Sequence, residues 1–125
     1  MTANPRHILQ TIAAAVAVIF GVVTLFAGGS VLFSRDPGYV VYKPLLYYNV
    51  AMGFVYIWAG LLIWRSAQRG RGAAFTIFVL NLLVLIGIVV ASRMGSDVAS
   101  ESFGAMTFRT VLWLVLYLAV VRASR

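Results

Sequence analysis

Residues Lys43 to Arg65 read KPLLYYNVAMGFVYIWAGLLIWR. From Pro44 to Trp64 the stretch is apolar, and charge appears only at its two ends. At about 1.5 Å of rise per residue it makes a helix of roughly 30 Å, the thickness of a bilayer's hydrocarbon core. Asn49, Gly53, Tyr56 and Gly60 follow one another at steps of four, three and four, so they share one face of that helix. The two glycines let a neighbouring backbone come close, and the two polar side chains ask for hydrogen bonds. Such a face points into a helix bundle, with the leucine, valine and isoleucine flanks toward lipid.

The rest of the chain has the same character. Apolar runs predict membrane spans at 8–33, 44–64, 73–92 and 104–121. A hydrophobic fraction of 62%, a charged fraction of 10% and a mean hydropathy of +0.97 lie far from those of a soluble domain. A length of 125 residues allows one domain. The net charge of +7 sets ten basic residues against three acids, Asp36, Asp97 and Glu101. Because the arginines flank apolar segments, and no basic run alternates with aromatic residues, that charge points to anionic lipid headgroups and not to nucleic acid. With no cysteine, disulfides, thiol redox chemistry and thiolate metal sites are excluded.

The first span follows a short polar leader, Met1 to His7, as a signal peptide's apolar core also would. Its uncharged run is too long for that core and three more spans follow, so it reads as a retained helix. Ala13, Ala17 and Gly21 recur every four residues along it, a pattern that permits close helix packing. Ser34 to Lys43 is the first loop, with a turn at Asp36-Pro37-Gly38 and a remainder amphipathic enough to lie on the membrane surface. Pro44 fits the first turn of the second helix, where its missing N–H costs nothing. Tyr47 and Tyr48 mark that helix's entry interface and Trp64 its exit. Ser66 to Gly72 reads as a tight polar hairpin, which forces the second and third helices to be antiparallel neighbours. Arg93 to Phe103 is the longest loop. The expected fold is all-α: an integral membrane four-helix bundle with antiparallel sequential neighbours.

Counting basic residues orients the chain. With the N-terminus inside, Arg6, Arg65, Arg69, Arg71, Arg122 and Arg125 face the cytoplasm, and Arg35, Lys43, Arg93 and Arg109 face out. The bias and the dense arginine hairpin place both termini in the cytoplasm of a bacterial cell, in the inner membrane.

Arg109 is the most informative single residue. It lies thirteen residues before Arg122, or roughly 20 Å along the helix, which sets it below the outer surface. An arginine inside the membrane costs at least a few kcal/mol unless it is paired or reaches water, so it is a candidate functional group. Trp113 and Tyr117 share its face, with Trp113 placed for a cation–π contact. Asn49 enters from the same side at similar depth. Asn49, Tyr56, Arg109 and Trp113 are therefore expected to line one cavity open to the outer leaflet. The competing reading has Arg109 snorkelling to headgroups, or paired with Glu101 or Asp97. Asn81, the one strongly polar residue of the third span, reads as a buried amide cross-linking helices. His7 has no assigned role.

Several chemistries lack their residues. One histidine cannot supply bis-histidine haem ligation, no cluster of ligands suits a metal, and every carboxylate falls in a loop, unlike the embedded acid of proton-coupled transport. No threonine has a convincing base, so an enzyme is not expected, and neither a metal nor a cofactor is assigned. GVVTLFAGG (Gly21 to Gly29) and YNVAMGFVYIWAGLLIW (Tyr48 to Trp64), followed by a basic hairpin and two further spans, resemble the DoxX-like small membrane proteins. The resemblance covers most of the chain in outline and contains no catalytic motif. It implies a four-helix bundle and a partner protein in a membrane redox or quinone-linked process.

Two functional expectations from different classes follow. The first is a non-enzymatic subunit or accessory protein acting by association with a protein partner or in a homo-oligomer. The small residues Ala13, Ala17, Gly21, Gly53 and Gly60 motivate it. The second is binding or transport of an amphipathic or anionic molecule, such as a lipid, a quinone or a carboxylate, around Arg109. Size and span number also permit a holin-like or immunity-type protein.

Overall fold

The computed structural model describes residues 5–33, 38 and 42–125. It is a bundle of four helices: α1 (Pro5–Leu32), α2 (Lys43–Arg65), α3 (Ala67–Arg93) and α4 (Ser100–Ala123). All four are long and apolar enough to cross a membrane. Large apolar side chains such as Phe26, Phe54, Trp58 and Phe108 stand exposed on the outside, while the core holds Ala13, Ala17, Tyr56, Ala59 and Trp113. Large apolar side chains turned outward, with small residues where helices meet, is the arrangement a lipid solvent selects.

Packing runs around a ring, α1 on α2, α2 on α3, α3 on α4 and α4 back on α1. Gln10 donates to the Ile63 carbonyl of α2 at 2.8 Å, and Arg6 donates to the Arg125 carbonyl just past α4. These contacts put the start of α1 beside the ends of α2 and α4, so sequential helices are antiparallel. We call this the near end of the bundle; the far end carries Leu32, Lys43, Arg93 and Ser100.

The α1–α2 contact is the most extensive, and glycine sets its closeness. A Cβ added to Gly60 would lie 2.9 Å from the Val18 nitrogen and 3.0 Å from the Ala14 carbonyl oxygen. One added to Gly21 would lie 2.8 Å from the Gly53 carbonyl oxygen. Backbone meets backbone here, which is what the Ala13–Ala17–Gly21 and Gly53–Gly60 patterns require. The seam between α1 and α4 is the thinnest of the four.

Two boundaries differ from expectation. The hairpin read at Ser66 to Gly72 is a single residue, Ser66, and α3 begins at Ala67. Ser66 caps it, its hydroxyl accepting from the Arg69 N–H at 3.3 Å. Gly70 is buried against Ile63 of α2, so the glycine that suggested a loop serves a helix crossing. Likewise the long loop shrinks to 94–99, and α4 starts at Ser100. The turn expected at Asp36 to Gly38 lies mostly outside the described residues, as does the surface segment at 39–41; Gly38 itself has a φ of +84°.

Candidate functional site

Three helices converge at the far end around a cavity of about 90 Å³. Thr24, Ala27 and Gly28 of α1, Leu45 and Asn49 of α2, and Ser102 and Arg109 of α4 form much of its wall, with Tyr42 at its rim. The α1 wall is built of small residues because α1 must pass close to α2 there: a Cβ on Gly28 would press on Val50. Asn49 sits six residues into α2, about 9 Å down, and Arg109 nine residues into α4, about 14 Å down. The sequence-predicted pairing of Asn49 with Arg109 in one cavity is therefore what the fold produces.

Tyr56 and Trp113 lie elsewhere. Each is thirteen residues from its helix's far end, about 20 Å down and near the middle of the bundle. Both are fully buried, and their rings pack with centroids 5.1 Å apart at 33°. Phe20 of α1 joins them, 5.5 Å from Tyr56. They form the layer beneath the cavity and are absent from its wall.

Asn81 belongs to the same middle layer. Its Oδ1 accepts from the Tyr56 hydroxyl at 3.1 Å and from the Tyr48 hydroxyl at 2.8 Å, tying α3 to α2 at two levels. Asn81, read from sequence as a cross-linking amide, thus bonds two side chains of α2; Tyr48, read as an interface residue, is one of them and turns inward. A signal for it exists. Leu45, Tyr48, Met52, Tyr56, Ala59 and Ile63 advance by threes and fours, a second inward stripe on α2 that faces α3. Tyr47, one residue earlier, is exposed as expected.

The guanidinium of Arg109 lies close enough to interact electrostatically with both Tyr48 and Tyr56. It thus connects the cavity above to the aromatic layer below. Two buried donors in that layer, Asn81 Nδ2 and Trp113 Nε1, have no hydrogen-bond partner among the described residues, and the Asn49 Oδ1 beside the cavity is likewise unmatched. Unmatched buried polar atoms each cost about 1–3 kcal/mol, so three of them are expensive for a purely structural core.

No protein-family model, curated protein or solved structure matches this chain.

The polar groups in the cavity wall are a guanidinium, an amide and two hydroxyls. Arg109 offers a fixed positive charge and a planar array of donors, Asn49 an amide, and Ser102 and Thr24 hydroxyls. Among the described residues, no group of three or more His, Asp or Glu side chains could hold a metal ion. Glu101, one candidate partner for Arg109, has its carboxylate at the surface, where it accepts from the Ser100 hydroxyl at 2.9 Å.

Proposed function

We propose that this chain is a non-catalytic, multi-pass protein of a bacterial inner membrane that binds the polar head of a small amphipathic molecule between α1, α2 and α4. The observation that carries the reading is the convergence of Arg109, Asn49, Ser102 and Thr24 on one small cavity at membrane depth. A volume of about 90 Å³ suits a carboxylate or a similarly compact anionic or hydroxyl-bearing head. The apolar remainder would leave through the thin α1–α4 seam into lipid. Both chain ends face the cytoplasm in this reading, because six of the ten basic residues gather at the near end.

Mass spectrometry of molecules released from protein purified out of native membrane tests the proposal. An anionic or hydroxyl-bearing amphipath is expected with the wild type and missing from Arg109→Gln, at equal protein yield. If wild-type protein carries no more than the variant, the reading is wrong.

A second reading is action by association, as a small subunit or in a homo-oligomer. The alanine and glycine faces of α1 and α2 that motivate it are spent within the chain. Its remaining support is Gly87 of α3 and Gly104 of α4, both exposed with open space where a Cβ would stand. Crosslinking in membranes tests it: a stoichiometric partner or dimer supports association, and a solitary monomer refutes it.

A further inference from the structure

Among the described residues, four polar side chains are more than nine-tenths buried: Thr24, Asn81, Ser102 and Thr110. Asn81 and Thr110 bond within the protein. Asn81 Oδ1 accepts from two tyrosines, and the Thr110 hydroxyl donates to the Met106 carbonyl one turn back at 2.8 Å. That back-bond is the usual recourse of a threonine in an apolar helix. Thr24 of α1 and Ser102 of α4 behave differently. Neither hydroxyl is hydrogen-bonded to another described residue, and both residues line the cavity beside Arg109. Neither oxygen is among the sealed, unmatched atoms of the core, so each is reached from the cavity.

Asn49 adds a third open group from a third helix. Its Oδ1 is sealed inside the protein, which leaves Nδ2 as the amide's open atom. Thr24 lies eight residues before the end of α1 and Asn49 six residues into α2, about 12 and 9 Å below the far end. Ser102, two residues into α4, is nearer the mouth. Together these groups carry four hydrogens for donation, two on the amide and one on each hydroxyl. An alcohol oxygen accepts at only two sites and brings a donor of its own. A carboxylate accepts at about four sites and brings none. Buried donors without acceptors cost free energy, so the head that matches this wall is the one richest in acceptors.

Given the headgroup reading of this cavity, in which Arg109 supplies the charge, we infer that it selects a carboxylate over an alcohol of the same chain. Thr24, Asn49 and Ser102 are the residues that make the selection.

The test uses the full chain in a neutral detergent at pH 8, with labelled decanoate and labelled decanol as probes and uptake by empty micelles subtracted. Wild type is expected to bind decanoate about tenfold more tightly than decanol. T24V, which keeps the side chain's shape and removes its hydroxyl, should lose about tenfold in decanoate affinity and most of the preference over decanol. T24S restores the hydroxyl and should restore both. T110V removes the buried hydroxyl that already has a partner, and should bind as wild type does. Unfolding midpoints should agree between wild type and T24V. Should T24V not accumulate, S102A is the second variant, and its loss of decanoate binding is expected in the same direction. Saturable binding of both probes with equal affinity overturns the selection and leaves the headgroup reading standing. So does decanoate binding that T24V and S102A leave unchanged, or that T110V weakens as much as they do. Saturable binding of neither probe overturns the headgroup reading itself, and the selection with it.

Discussion

At the scale of single residues, Asn81 and Arg109 carry opposite kinds of information. Asn81 satisfies two tyrosine hydroxyls from a neighbouring helix, so its value is structural. Interhelical hydrogen bonds in membranes average about 0.6 kcal/mol and reach about 1.7. Asn81→Leu strands two hydroxyls at once and should destabilise the fold by about 1–3 kcal/mol, seen as a lower unfolding midpoint by tryptophan fluorescence. Tyr48→Phe removes one donor only and should cost less than half as much. Identical losses for the two variants would mean that Asn81 does not hold both hydroxyls. Arg109→Gln, by contrast, should leave the midpoint within a few degrees. A collapse of accumulation on that change would make Arg109 a structural residue.

At the scale of elements, glycine decides how near α1 and α2 approach. Gly60→Ala places a methyl against the backbone of Val18 and Ala14, where nothing flexible can yield. It should destabilise by about 1–3 kcal/mol. Gly87→Ala meets open space and gains helix propensity, so it should be neutral or stabilising by up to about 1 kcal/mol. Unfolding of both variants under one condition checks the contrast. Much of this interface was legible in the sequence, because Ala13, Ala17, Gly21, Gly53 and Gly60 are small at helical spacing and have no other use. The start of α3 was not. Arg69, Gly70, Arg71 and Gly72 look like a loop by composition, yet the arginines point outward to water while Gly70 packs inward on Ile63. Helix geometry separates side chains that composition lumps together. The candidate site was half legible for a related reason. Depth along a helix follows from counting, which joined Asn49 to Arg109. Tyr56 and Trp113 were grouped with the cavity because they share a helix face with Asn49 and Arg109, although each lies thirteen residues from its helix's far end and so falls in the layer beneath it.

At the scale of the whole molecule, four crossings return the chain to the side where it began. Reporters fused to either end, alkaline phosphatase or a fluorescent protein, should register the same compartment, and the near end's arginines predict the cytoplasm. Opposite readings would refute four crossings. The ring of helices is uneven as well: α1 with α2 and α3 with α4 make broad contacts, while the two seams between these pairs are narrower. The chain is thus two helical hairpins joined at Ser66. Residues 1–66 and 67–125 expressed as separate polypeptides should find one another in the membrane and co-purify. Recovery of each piece alone would show that the seams are too weak to define one body.

The cavity beside Arg109 draws its walls from both hairpins, with Thr24 and Asn49 on one and Ser102 and Arg109 on the other. Whatever lodges there acts as a rivet across the joint. Occupancy would then be readable in mechanics: pulling the halves apart should demand more force when the rivet is in, and the gain should track the logarithm of the guest's concentration above its dissociation constant.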